Sequence, residues 1–219
     1  MKPKSQTIVI LALVLIIFSG RSLIQAQKLN DNPVLDEKVK AFFNNHPSWQ
    51  DMNVPVSDGQ LLYNIILEHN YQRALEIGTS TGHSAIWMAW ALSKTGGKLL
   101  TIEINEGRYK EALENFKTAG LEQYIDARLA DAHELVPELE GPFDFVFSDA
   151  DKYWYKNYFT AIDPKLSEGG CYTTHNVTSR RGYGRNSDYL NFLFQQKNYV
   201  TTVNDDGGGV AISYKKTKP

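Results

Sequence analysis

The feature that most constrains the fold is a regular alternation between short apolar segments and longer segments with helical spacing. The apolar segments are RALEI (73–77), KLLTIE (98–103), YIDARL (124–129), FDFVFS (143–148) and GGCYTTH (169–175). Between them lie helical patterns at 83–94, 106–118, 132–139 and 153–162. Strands this apolar, alternating with helices, predict a parallel sheet that helices cover on both faces.

The two ends of the chain complete this pattern. Residues 33–45 have helical spacing, and Ser57 with Gln60 predicts a capping box at the start of a second helix. Near the C-terminus, YVTTVN (199–204) and GVAISY (209–214) flank DDGGG, which predicts a hairpin. The expected fold is α/β, a doubly wound, Rossmann-like, seven-stranded, mostly parallel sheet with a C-terminal antiparallel hairpin.

The first residues have a different character. Lys2 and Lys4 precede the apolar run IVILALVLIIF (8–18), and the small residue Ala26 follows. This order is typical of a secretory signal peptide. A membrane-spanning helix needs about 20 apolar residues, so a membrane-tethered, uncleaved segment is the weaker alternative. We therefore expect residues 1–26 to be a signal peptide that directs export, and residues 27–219 to form a single domain with no stable membrane anchor after cleavage.

Charge and cysteine content exclude some classes of protein. Removal of residues 1–26 takes away three basic residues and no acidic one, which changes the formal charge from −2 to −5. A mildly acidic domain is not a general nucleic-acid binder. The chain has one cysteine, Cys171, which excludes an internal disulfide framework.

The stretch EIGTSTGHS (76–84) covers the end of the first predicted strand and opens the next helix. Ligands of open α/β sheets bind at the carboxyl ends of the strands, where glycines allow close approach of the backbone. A dinucleotide fingerprint is excluded because Ser80 and His83 stand where it needs glycines. Glu103 ends the second strand and is either a ribose ligand or a solvated carboxylate. Asp131, Ala132 and His133 either border an adenine ring or cap a helix.

Four motifs in order carry a resemblance to a known family. They are MNVPVSDGQLL (52–62), EIGTSTGHSA (76–85), TIEIN (101–105) and FDFVFSDADKYWYKNYF (143–159). Together they resemble the class I S-adenosylmethionine-dependent methyltransferases, in particular the family of catechol and caffeoyl-CoA O-methyltransferases. The resemblance implies S-adenosylmethionine as cofactor, a small phenolic or catechol-like acceptor, and a homodimer. A non-catalytic S-adenosylmethionine-binding protein on the same fold is the alternative.

The resemblance also implies roles for individual residues. Lys152 is the expected general base. The residues expected to bind the cofactor are Met52, Val54, Glu76, Gly78, Thr79, Ser84, Glu103, Ala132, Asp149 and Asp151. Carboxylates suit a cofactor that carries a sulfonium and an ammonium group.

One position departs from the family pattern. In the family, the residue at Asp149 and a later Asp-Asn pair ligate a divalent metal, but this chain has His175-Asn176 at the pair. Three alternatives stay open. Asp149, His175 and Asn176 ligate a metal other than Mg²⁺, such as Mn, Fe, Zn or Ni; His175 is itself the catalytic general base; or the site is free of metal.

Two further groups are candidates for acceptor binding. Arg180, Arg181 and Arg185 lie in the loop after the fifth strand and either face an acidic acceptor or are solvated. Aromatic side chains either wall a flat acceptor or pack a helix onto the sheet. These aromatic residues are Trp49, Tyr153, Trp154 and Tyr155.

Overall fold

The computed structural model describes residues 29–46, 52–179 and 187–218. Its helices are α1 (Pro33–Asn45), α2 (Val56–His69), α3 (His83–Thr95), α4 (Glu106–Ala119), α5 (Ala132–Glu138), α6 (Tyr155–Ile162) and α7 (Ser187–Phe194). Its strands are β1 (Arg73–Ile77), β2 (Lys98–Glu103), β3 (Ile125–Leu129), β4 (Phe143–Ser148), β5 (Leu166–His175), β6 (Tyr199–Asn204) and β7 (Val210–Lys215).

The seven strands form one sheet in the order β3-β2-β1-β4-β5-β7-β6. The first five strands run parallel, and β7 pairs antiparallel with both β5 and β6. The order reverses direction at β1, so the carboxyl ends of β1 and β4 lie side by side at the switch point. The predicted mixed sheet with its C-terminal hairpin is confirmed.

The apolar strands are explained by the two layers of helices that cover the sheet. Successive side chains of a strand point to opposite faces. In β4, Phe145 and Phe147 pack into one core with α1 to α4, while Val146 packs into a second core with α5, α6 and α7. Because both faces are buried, the middle of β4 does not alternate apolar and polar residues, and residues 145–147 are all apolar and fully buried.

The structure corrects the sequence analysis at two helices. The capping box is wrong: α2 begins at Val56, its N-cap residue is Pro55, and no side chain caps it. The amides of Asp58 and Gly59 both donate to the Pro55 carbonyl oxygen, so the helix starts before Ser57. Helix α7 was not predicted, because its eight residues follow a polar, glycine-containing stretch that favours a loop.

The predicted signal peptide, residues 1–26, lies outside the described residues. None of the helices in the described ranges combines the length and the apolar content that a bilayer crossing requires.

Candidate functional site

The turn after β1 has a backbone that most residues avoid. Gly78 has φ +101°, Ser80 has φ +49° and Gly82 has φ +97°. A β-carbon at Gly78 would lie 2.9 Å from the Asp149 carbonyl oxygen, so the turn and the end of β4 touch through their backbones. The amides of Gly78 and Thr79 donate to the Ile102 carbonyl oxygen at 3.0 and 3.1 Å. The glycines thus bring the ends of β1, β2 and β4 into one site.

Beneath this turn lies the fully buried side chain of Glu76. Its carboxyl group accepts hydrogen bonds from the hydroxyls of Ser84 and Thr101, and the hydroxyls of Thr101 and Thr79 are in contact. Burial raises the pKa of Glu76 to about 8, against the opposing effect of the two hydroxyl donors. Glu76 therefore ties the turn to α3 and β2 from below.

Glu103 ends β2 and holds the other side of the turn. Its carboxylate accepts the Ser80 amide at 2.7 Å and the Asn105 amide at 2.9 Å. Its side chain also lines the adjacent cavity. An acidic group fixed by two backbone amides presents its remaining lone pairs in a defined direction, which suits the recognition of hydroxyl groups.

A cavity of about 240 Å³ opens at the carboxyl ends of β1 to β4. The residues that line it are Met52, Asn53, Gly78, Thr79, Ser80, Ser84, Ile102, Glu103, Ile104, Arg108, Ala130, Asp131, Ala132, His133, Asp149, Ala150, Asp151 and Tyr158. Four of these are carboxylates, and the exposed apolar side chains of Met52 and Ile104 stand at its border. The cavity can therefore hold a ligand with both cationic and apolar parts.

The wall at the end of β3 combines a helix cap with an aromatic pair. Asp131 caps α5 by accepting the His133 amide at 2.8 Å, as one of the two alternatives predicted. The His133 ring stacks on Trp154 with centroids 3.9 Å apart, and its Nε2 lies 3.4 Å from Asp151. Ala132 and His133 line the cavity, so this wall offers a flat, partly apolar surface to a ligand.

The predicted cofactor residues fall into two groups. Eight of them line the cavity: Met52, Gly78, Thr79, Ser84, Glu103, Ala132, Asp149 and Asp151. Val54 and Glu76 are buried away from its surface. Lys152 is exposed in the turn that follows Asp151 and is not part of the cavity lining.

His175 occupies a closed position at the end of β5 and is 4% exposed. Its Nδ1 lies 2.9 Å from Asp149 Oδ2, and its Nε2 lies 2.9 Å from Asp58 Oδ2. Burial lowers the pKa of His175, but the hydrogen bonds and charges of Asp149 and Asp58 outweigh it and raise the pKa to about 9. The ring is thus a cation between two carboxylates.

Asp58 is the site residue that the sequence analysis missed. It lies in α2 and is 1% exposed, and its Oδ2 also accepts the Gly208 amide at 2.8 Å. A β-carbon at Gly208 would lie 2.5 Å from His175 Nε2. The glycines of the β6–β7 turn therefore let its backbone close over the Asp58–His175 pair. In the sequence, the one indication of a role for Asp58 was its position inside the family-like motif MNVPVSDGQLL (52–62).

The predicted metal ligands do not fit a metal ion in this arrangement. A histidine ligand needs a free lone pair on one ring nitrogen and usually donates its other N–H to a carboxylate. Both nitrogens of His175 instead face carboxylate oxygens, and an ionised carboxylate only accepts hydrogen bonds. Asn176 follows with φ +56°. Within residues 29–46, 52–179 and 187–218, no cluster of three or more His, Cys, Asp or Glu side chains forms a metal-binding group.

The predicted acceptor residues are only partly described. Trp49, Arg180, Arg181 and Arg185 lie outside the described residues. Tyr155 is buried and donates to the His175 carbonyl oxygen, so it packs α6 onto the sheet. Tyr153 is 77% exposed.

Comparison with known proteins agrees with this geometry. The sequence profile of the O-methyltransferase family matches residues 25–182. The chain is 34% identical over 131 residues to a caffeoyl-CoA O-methyltransferase of Medicago sativa, covering 57% of this chain and 52% of the relative. It is 37% identical over 112 residues to a catechol O-methyltransferase of Niastella koreensis, covering 49% and 50%. The aligned regions thus span about half the length of these curated relatives.

The fold is also found among solved structures. An O-methyltransferase from Bacillus cereus in complex with SAH superposes with a TM-score of 0.68 at 22% identity, and the alignment covers 85% of this chain and 92% of the other. The profile match extends over most of the chain and includes the turn, the Glu103 strand and the Asp149 strand. The chain therefore belongs to the O-methyltransferase family.

Proposed function

We propose that this protein transfers a methyl group from S-adenosylmethionine to a hydroxyl group of a small phenolic or catechol-like acceptor. The observation that carries the proposal is the cavity in which the Gly78 turn, Glu103 and Asp149 meet at adjoining strand ends. Membership of the O-methyltransferase family supports it, as do relatives named for caffeoyl-CoA and catechol.

The lining of the cavity suits this cofactor. Glu103, Asp131, Asp149 and Asp151 surround it with negative charge, which complements a sulfonium and an ammonium group. When bound, S-adenosylmethionine supplies an electrophilic methyl group for direct displacement by an acceptor oxygen. We expect Glu103 to accept the ribose hydroxyls and the wall of Ala132 and His133 to pack against adenine, since all three residues line the cavity.

Lys152 is the proposed general base. It is exposed and directly follows the cavity residue Asp151 in the chain. In its neutral form, the Lys152 amine can take the proton from an acceptor hydroxyl, which leaves a more nucleophilic oxygen. His175 is buried with both ring nitrogens engaged, so the geometry favours Lys152 over His175 for this step.

Two measurements test the proposal. Calorimetry on the purified protein should show binding of S-adenosylmethionine and of its demethylated product. Mass spectrometry over a panel of catechols should then show a mass increase of one methyl group. Absence of binding to both cofactor forms would refute the proposal.

A substitution separates binding from catalysis. Lys152→Met should lower turnover about 100-fold or more, the range that a general base contributes, with cofactor affinity unchanged. Lys156→Met, also an exposed lysine of the same region, is the matched control and should retain activity. Cofactor binding without turnover of any acceptor would instead support the non-catalytic alternative.

A further inference from the structure

Three distant segments meet at His175. Asp58 comes from α2, Asp149 from the end of β4, and Gly208 from the β6–β7 turn, while His175 itself ends β5. The separations along the chain are 117 residues for Asp58–His175 and 150 residues for Asp58–Gly208. The cluster around His175 therefore depends on the tertiary fold and not on neighbouring residues of one segment.

The hydrogen bonds define the chemical state of this group. Each ring nitrogen of His175 lies 2.9 Å from a carboxylate oxygen, so each must carry a hydrogen. Asp58 is further held by the Gly208 amide at 2.8 Å. Side-chain exposure is 1% at Asp58, 5% at His175 and 14% at Asp149, so only Asp149 reaches the cavity. A charge buried this deeply is tolerated only when it is paired.

We propose that the Asp58–His175–Asp149 cluster replaces a divalent metal ion, with the imidazolium of His175 as the built-in cation that holds Asp149 at the cavity. Asp58 and His175 are positioning residues, which act on the ligand through Asp149. Catalysis therefore needs no added divalent metal. The independence of catalysis from added metal rests on the proposed function, whereas the replacement of a metal ion by His175 does not.

The first experiment uses the wild-type protein. With histidines labelled with ¹⁵N, NMR at neutral pH should show both ring nitrogens of one of the five histidines protonated, and His175→Asn should remove that signal. Titration with Mn²⁺ should leave this signal sharp. Selective broadening by Mn²⁺, or an unprotonated ring nitrogen on His175, would overturn the proposal. If methyl transfer is observed, it should be unaffected by EDTA.

The second experiment restores an oxygen ligand set. His175→Asp places a carboxylate next to Asn176 and opposite Asp149, the donor types that Mg²⁺ and Mn²⁺ prefer. This variant should bind Mn²⁺ by electron paramagnetic resonance, whereas His175→Asn, at the same position and without a charge, should not. The double variant Asp58→Asn/His175→Asp removes one buried negative charge for the one that is added. It replaces the single variant in the experiment if the single variant does not fold.

The outcomes separate the two proposals. If the His175→Asp or double variant binds Mn²⁺ and the wild type does not, the inference stands even where no acceptor is methylated. If the wild type binds Mn²⁺ as tightly as these variants, the inference is wrong, whatever the activity. Loss of wild-type methyl transfer in EDTA, with recovery in Mn²⁺, would also overturn it.

Discussion

Replacement of Gly78 by alanine tests whether the turn after β1 requires a glycine at this position. Gly78 has φ +101°, and its added β-carbon would lie 2.9 Å from the Asp149 carbonyl oxygen. Gly96, which ends α3, has φ +79°, but its β-carbon would meet nothing closer than 3.7 Å. An L-residue in the left-handed region costs about 1–2 kcal/mol, and a forced backbone shift costs about 1–3 kcal/mol more. Gly96→Ala should therefore lose about 1 kcal/mol of unfolding free energy, and Gly78→Ala about 2–5 kcal/mol.

Urea unfolding followed by circular dichroism measures both values under identical conditions. Calorimetry with S-adenosylmethionine provides the functional comparison. Because a shift at Gly78 moves the Ser80 amide that holds Glu103, Gly78→Ala should bind the cofactor more weakly than the wild type. Gly96 lies at the far end of α3, about 20 Å along the helix, and its variant should bind normally. Equal destabilisation of the two variants, or full cofactor affinity in Gly78→Ala, would show that the turn does not require a glycine at this position.

Folding raises the pKa of Glu76 to about 8, so its stabilising contribution is complete below about pH 4.5 and is lost as the pH rises through 8. The unfolding free energy of the wild type, measured by urea titration, should therefore fall by a few kcal/mol between these pH values. Glu76→Gln should make this fall smaller. Glu103→Ala should weaken cofactor binding about tenfold or more in calorimetry, since it removes the acceptor of the Ser80 amide as well as the expected ribose contact, and unchanged affinity would exclude that contact. We also propose that residues 1–26 direct export; mass spectrometry of the secreted or periplasmic protein should find cleavage after Ala26, and a full-length cytosolic product would contradict this.

The sequence predicted the elements well because their signals are local. The apolar residues 145–147 of β4 indicate a strand buried on both faces, and the glycines of EIGTSTGHS indicate a turn with positive φ. Helix α7 was missed because its apolar face is short and its stability comes from packing: Tyr189, Leu190 and Leu193 are buried against the second core. A pattern of eight residues is too short to indicate a helix when tertiary contacts supply most of its stability.

Some residues of the candidate site were predictable from local sequence, and others depend on tertiary packing. The sequence by itself determined the Gly78 turn, Glu103 and Asp149, because parallel strands place their carboxyl ends at one edge whatever the details of packing. Only the tertiary structure decided the state of His175. Its partner Asp58 reaches it through the docking of α2, and the Gly208 amide that holds Asp58 comes from the turn before β7, which pairs antiparallel with β5. No sequence periodicity encodes contacts between residues more than 100 positions apart, so whether a histidine is a ligand, a base or a buried cation depends on the side chains that the fold brings to its two nitrogens.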